Sequence, residues 1–334
     1  MLIHLLADTS LPQLASLFPP PFVLTRFKHP SELPTRLIGQ QVLLCRSTLP
    51  VNEALLHAST LKYVATASSG TDHIDETYLT AQSITLLDAK GCNAQAVTDY
   101  VRLVLTWLKT KGLPHGKKAG VFGVGAVGSL VATLLHALGF EVCCVDPYQQ
   151  TLRNAHPYVT LKHLTDCDLI CIHANLHHTP PFSTTQCFNA SFFDTLKPGT
   201  TIINAARGGI VDETALIKCL NPLYYCTDVY QHEPHINPNI IEKALLCTPH
   251  IAGHTVEAKN AAVESIARQL HQLYQLPFSP PLKQNIPSTQ TTPTLNSNLL
   301  SMYDPSQDTL ALKQTTNHKT TFLTRRNAHQ RTHL

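Results

Sequence analysis

The ten cysteines include no C-x-x-C pair, no apolar run approaches the roughly 20 residues that a membrane-spanning helix needs, and no signal-peptide pattern is recognisable. Each absence closes a class of protein. Scattered through apolar runs, as at Cys45, Cys143, Cys144 and Cys171, the cysteines read as reduced, buried thiols of a cytosolic protein, so the cytoplasm is the expected location. Cys167 and Cys171 stand close together and His177 and His178 are adjacent, but nothing supplies further ligands at suitable spacing, and no metal is expected. Concentrated charge is lacking too. Net charge is +3, and residues 276–334 carry six Lys/Arg against two Asp/Glu, which leaves −1 on residues 1–275. The body is therefore no polyanion binder, and the tail's charges are spread thinly without aromatic interleaving, so neither nucleic acid nor membrane is an expected partner.

What is present centres on Gly123-Val124-Gly125-Ala126-Val127-Gly128. An apolar run suited to a buried strand (119–122) enters this G-x-G-x-x-G turn, a helical stretch (129–138) closed by Gly139 leaves it, and a second apolar run (141–145) delivers Asp146. Gly123 permits the tight turn, Gly125 lets backbone amides approach a pyrophosphate, and Gly128 lets helix and strand pack closely. Asp146 is placed to bond the adenosine ribose hydroxyls. A carboxylate there repels a 2′-phosphate, so the expected cofactor is NAD rather than NADP.

The rest of the chain alternates strand and helix. Short apolar runs at 3–7, 42–45, 63–67 and 84–87 make a small α/β unit. From Asn93, a candidate N-cap, Val97, Tyr100, Val101, Val104, Leu105 and Leu108 follow helical spacing. Beyond Asp146, further strand-like runs fall at 169–172, 201–204, 223–229 and 245–248. An amphipathic stretch at 255–274 carries Ala262, Val263, Ile266, Ala267, Leu270 and Leu273 on one stripe that is expected to pack back on the first domain. Length suffices for two cores, since single ones rarely exceed about 250–300 residues. The fold class expected is α/β: two doubly wound parallel-sheet domains with a cleft between them, plus a short degenerate C-terminal tail. Residues 1–92 and 255–275 form the substrate domain, 93–254 the NAD-binding domain, and 276–334, rich in Pro, Thr, Asn and Gln, a shortened dimerisation-like or partly disordered tail that buries little, in which 299–312 and 320–331 can still form short ordered pieces.

Three polar residues stand at or just beyond strand-like runs in the last third: Arg207, Glu233 and His250. Oxidising a hydroxy acid needs a cation to grip the carboxylate, a base near neutral pKa and a hydride acceptor. Arg207, His250 and nicotinamide supply them, and a carboxylate on the imidazole, Glu233, fixes its tautomer and favours its charged form. Taken singly, each has an ordinary alternative: a surface Arg, a helix-capping Glu, a satisfied core His. The hydroxyls at Ser47 and Ser68 likewise suit either a ligand or a turn.

Residues 123–128, 196–208, 228–234 and 248–253 together resemble the D-isomer-specific 2-hydroxyacid dehydrogenase family. Cys45-Arg46-Ser47-Thr48 with Val51-Asn52-Glu53, Ala65-Thr66-Ala67 with Gly70-Thr71-Asp72-His73-Ile74-Asp75, and Gly91-Cys92-Asn93-Ala94 are similar to one branch of it, whose substrate is a small phosphorylated hydroxy acid. The resemblance spans residues 1–275 and implies oxidation of such an acid to the 2-oxo acid by a homodimer. It also implies that Ser47, Ser68 and His254 bind substrate, and that Ala126, Val127, Ala205, Ala206, Arg207, Asp228 and Gly253 join the glycines and Asp146 around NAD. Departures accompany it. His254 stands where the family has Tyr, Ala174-Asn175-Leu176 replaces Thr-Pro-Leu, Ala126 replaces a polar residue, and the tail is shorter than the family's dimerisation region. A general D-2-hydroxyacid dehydrogenase, and a non-catalytic NAD-sensing protein on the same fold, stay open as alternatives.

Overall fold

The computed structural model describes residues 2–57, 59–148, 160–280 and 293–334. The chain divides into two compact units, Met1–Asn93 with Thr255–Thr289, and Ala94–His254 with Gln290–Leu334.

In the first unit, strands β1 (Ile3–Asp8), β2 (Phe22–Phe27), β3 (Val42–Cys45), β4 (Tyr63–Thr66) and β5 (Thr85–Asp88) form a parallel sheet of order β2-β1-β3-β4-β5. All four residues of β3 are buried, as a strand covered on both faces requires. One face packs Leu5, Ala7, Val42, Leu44 and Ala65 against Ala262, Val263, Ile266, Ala267 and Leu270 of the helix Val256–Leu273. That helix starts where Thr255 accepts the Ala258 N–H, and its buried stripe is the expected one except for Leu273, which is exposed. Cys45 lies opposite Thr66, so Arg46-Ser47 and Ala67-Ser68 leave the sheet at the same carboxyl edge.

The second unit holds β6 (Lys118–Phe122), β7 (Glu141–Val145), β8 (Leu169–Ile172), β9 (Thr201–Asn204), β10 (Tyr224–Thr227) and β11 (Leu246–Cys247), all parallel, in the order β11-β10-β9-β8-β6-β7. The chain reverses its direction of sheet growth beside β6, which makes the gap between β6 and β8 the topological switch point. Side chains alternate across the sheet with period two: Leu169 and Cys171 face the core beneath helices Ala94–Lys109 and Ala126–Ala137, and Ile170 and Ile172 face the other core. The helix after the glycine turn begins at Ala126, earlier than its spacing predicts, because Gly125 already holds the extended conformation of an N-cap. Gly139 closes it at φ 83, with its N–H on the His136 carbonyl. Asn93 precedes the helix Ala94–Lys109, but its buried Oδ1 accepts no hydrogen bond among the described residues, so it does not cap as expected.

The tail has short ordered pieces close to where they are expected, and they bury more than its composition implies. Helices Ser306–Gln314 and His318–Ala328 insert fully buried Leu312 and Phe322 into the second unit's core. The Thr309 hydroxyl accepts the Cys247 N–H at 2.9 Å and also lies 3.0 Å from the Cys247 carbonyl, so it occupies the edge of β11. Two well-placed apolar side chains and a few polar clamps achieve this, which average composition does not register.

Candidate active site

Register assembles the site. Val145, Phe122, Ile172, Asn204, Thr227 and Cys247 are partners across successive strands, the last row before the six carboxyl ends. The next residue on each strand is therefore Asp146, Gly123, His173, Ala205, Asp228 or Thr248. Four of these are among the residues expected to meet NAD.

The glycine turn fits a dinucleotide. At Gly123 φ is 86 and a Cβ would stand 2.3 Å from the Ala174 nitrogen; at Gly128 it would stand 1.9 Å from the Gly123 carbonyl oxygen, so side chains are excluded at both. Among the described residues, no atom beyond Gly125 and its chain neighbours lies within 4 Å of the corresponding point there, which leaves the backbone open to a pyrophosphate at the start of helix Ala126–Ala137, whose first residues are Ala126 and Val127. Asp146 Oδ2 accepts the Val124 N–H at 2.7 Å, which fixes the carboxylate beside the turn.

His250 and Glu233 stand in contact. His250 Nδ1 lies 2.6 Å from Glu233 Oε2, while Glu233 Oε1 accepts the Tyr230 N–H at 2.8 Å. Burial alone would raise the Glu233 carboxyl; the adjacent His250 charge, its hydrogen bond, the Tyr230 amide and Arg326 outweigh burial and hold it below the ordinary carboxylate range. With Nδ1 donating to an ionised partner, Nε2 is the nitrogen left to take a proton. His250 (φ 56) and His232 (φ 64) both occupy the left-handed region, which costs a non-glycine residue on the order of 1–3 kcal/mol and persists where surroundings over-determine it. The surroundings do so. Buried Asp228 accepts the Thr248 hydroxyl at 2.7 Å and the Ile251 and Ala252 amides at 2.8 Å each, and thereby holds both sides of His250. Tyr100 OH lies 2.6 Å from the Thr248 hydroxyl, and Tyr230 OH donates to the Thr248 carbonyl. Gly253 is half-buried, and the His254 ring lies 6.5 Å from that of His250, tilted by 24°.

Arg207 stands on a turn braced by Asn204, whose Oδ1 accepts the Ala206 N–H and whose Nδ2 donates to the Arg207 carbonyl. One guanidinium nitrogen donates to the Ala206 carbonyl at 2.8 Å. The adjoining Gly208 packs so closely on the Tyr230–Gln231 peptide that a Cβ would lie 2.0 Å from the Tyr230 carbonyl carbon, which joins the Arg207 turn to the loop of Glu233. Glu213 braces the same loop by accepting the Gln231 N–H at 2.8 Å; burial pushes its carboxyl up to about 7.

Ser47 is exposed and Ser68 half-buried, both at the carboxyl edge of the first unit's sheet. Sequence reasoning missed Thr248, Tyr230, Glu213 and Asn204, and took Tyr100 only as part of an apolar stripe, although a buried phenol usually finds a partner for its hydroxyl.

No helix among the described residues is long and apolar enough to cross a membrane. The sequence pattern of the D-isomer specific 2-hydroxyacid dehydrogenase, NAD binding domain, matches residues 105–252. An erythronate-4-phosphate dehydrogenase of Legionella pneumophila is 45% identical over 337 residues, which cover 99% of this chain and 95% of that one. One from Coxiella burnetii is 34% identical over 325 residues, covering 94% and 88%. In fold, the crystal structure of an NAD-dependent formate dehydrogenase from Staphylococcus aureus in complex with NAD superposes with a TM-score of 0.66 at 22% identity, covering 83% of this chain and 97% of that one. With this turn, this dyad and these relatives, the chain belongs to the D-isomer-specific 2-hydroxyacid dehydrogenases, a family of NAD-dependent oxidoreductases, on the branch of the erythronate-4-phosphate dehydrogenases.

Proposed function

We propose that the protein oxidises 4-phospho-D-erythronate to (R)-3-hydroxy-2-oxo-4-phosphooxybutanoate in pyridoxal 5′-phosphate (vitamin B6) biosynthesis. The observation that carries the mechanism is the 2.6 Å contact between His250 Nδ1 and Glu233. The names of the relatives support the substrate. Arg207 grips the substrate carboxylate through its planar fork. His250 Nε2 takes the proton of the C2 hydroxyl, and Glu233 stabilises the imidazolium that results. NAD, when bound, supplies the acceptor for the C2 hydride. Gly123, Gly125, Ala126, Val127, Gly128 and Asp146 would hold its pyrophosphate and ribose, and Ala205, Ala206, Arg207, Asp228 and Gly253 would also contact it. Ser47, Ser68 and His254 contact the substrate. The working form is a cytoplasmic homodimer.

His254 favours a second reading, because an imidazole in place of a phenol changes the reach and charge of the donor beside His250: a general D-2-hydroxyacid dehydrogenase acting on glyoxylate or hydroxypyruvate. Purified protein assayed with 4-phospho-D-erythronate and a 2-oxo acid acceptor separates the two. Turnover there is expected; none there, with good turnover on glyoxylate or hydroxypyruvate, selects the second. NADH binding without oxidation of any hydroxy acid would instead make the chain a sensor. H250N is expected to slow the chemical step at least about a hundredfold, the scale of general acid–base loss.

A further inference from the structure

Arg331 lies near the C-terminal end of the described chain, 4% exposed, and its Nη2 donates to two carbonyls: Ala96 at 2.7 Å and Ala252 at 2.6 Å. Ala96 stands in the first turn of helix Ala94–Lys109, and Ala252 is two residues past His250. The other guanidinium nitrogens, Nε and Nη1, are buried without a hydrogen-bond partner among the described residues. Asp99 contributes a negative charge nearby, but its carboxylate is occupied by Gln95, His333 Nδ1 and the Leu334 N–H. A buried cation satisfied mainly by neutral carbonyls is a poor device for stability, because its desolvation is repaid only by excellent pairing. Its bonds are spent on placement instead.

We propose that Arg331 is a positioning residue for His250, a clamp from the C-terminal segment that fixes the catalytic loop to the start of helix Ala94–Lys109. The inference rests on the acid–base role assigned to His250 above. Ala252 is held through both peptide groups, its N–H by Asp228 at 2.8 Å and its carbonyl by Arg331, while Asp228 also takes the Ile251 N–H and the Thr248 hydroxyl. Asp228 restrains the loop from the sheet side and Arg331 restrains it from the tail. His250, in its left-handed conformation, needs both, since a residue at φ 56 relaxes once the backbone on either side is released. The C-terminal segment thus reaches the backbone beside His250 through the Ala252 carbonyl and ties it to Ala96.

The test uses the full chain with R331A, R331K and R325Q. Arg325 anchors the same segment by pairing with Asp308 and touches neither carbonyl, so R325Q reports what loosening the tail does by itself. R331A is expected to lower kcat on the order of tenfold to a hundredfold, the scale of misplacing a reacting group, with KM for NAD nearly unchanged. Millimolar guanidinium is expected to restore much of the loss, and R331K, which keeps a donor there, to retain most of the rate even if R331A is recovered only as aggregate. R325Q is expected to lower the melting temperature and leave kcat alone. Unchanged kcat in R331A, an equal loss in R325Q, or R331K as slow as R331A without guanidinium rescue would overturn the clamp. A second readout needs no turnover: the downfield proton resonance of His250 Nδ1–H on Glu233 is expected to survive in R325Q and R331K and to broaden or vanish in R331A. An unaltered protein that oxidises no hydroxy acid refutes the proposed reaction, while a resonance equally sharp in R331A refutes the clamp.

Discussion

Replacing Glu233 by Gln separates the dyad's charge from its shape. Gln fits the same space and keeps one carbonyl oxygen, but the Glu233 carboxylate serves two donors, Tyr230 N–H at 2.8 Å and His250 Nδ1 at 2.6 Å. A single amide oxygen turned to the Tyr230 amide leaves an NH2 facing Nδ1, and the imidazole must then move its proton to Nε2, the nitrogen needed as base. Loss of the charge-assisted bond alone removes about 1.5–3 kcal/mol from the imidazolium formed in the transition state, roughly a 10- to 150-fold drop in kcat. The wrong tautomer extends the loss towards about 10⁴-fold. Pre-steady-state formation of NADH at saturating substrate isolates the chemical step. E233Q within about threefold of the unaltered protein, well short of that loss, would refute the dyad as the working base. Stability adds a sign. The Glu233 carboxyl is held below its ordinary 4.5, so its contribution is present above that pH and is lost as pH falls through the lower folded value; the gap in denaturation midpoint between the unaltered protein and E233Q should close in that window.

Glu213 runs the opposite way. Burial raises its carboxyl from 4.5 to about 7, so the stability linked to its protonation is complete below 4.5 and declines as pH rises through about 7, by up to roughly 3 kcal/mol. E213Q should flatten that part of the stability profile, and parallel denaturant midpoints for the two proteins between these values would show that Glu213 is not protonated on folding. G128A places a methyl 1.9 Å from the Gly123 carbonyl oxygen and must push helix Ala126–Ala137 off the turn. Calorimetric titration with NADH should find affinity reduced more than about tenfold, the cost of losing a preorganised phosphate cradle, and unchanged affinity would dissociate the turn from cofactor binding.

The parts legible in the sequence are those encoded locally. A glycine turn between two apolar runs needs only its own residues, and Gly123, Gly128 and Asp146 stand where that pattern places them, with Gly139 closing the helix. The row of strand ends could be read as separate stops, because each apolar run ends in a polar or small residue. The pairing among them was not local. Thr248 looks like an unremarkable strand end, and its value comes from Tyr100, 148 positions away, and from Asp228, 20 away. Asn93 had the composition of a cap and does not serve as one, since a side-chain acceptor needs its donors in reach as well as its place before a helix. How firmly the tail is anchored is hidden for a related reason. Polar composition averages away Leu312, Phe322 and Arg331, which act singly at buried positions.

Thr309 has a consequence for how copies of the chain meet one another. A parallel sheet ends in two strands with unspent N–H and C=O groups, and such edges recruit other strands. On the β11 side, the Thr309 hydroxyl sits against both backbone groups of Cys247. The outward groups of Cys247 are thereby occupied by a side chain of the tail, and the ladder is closed to addition there.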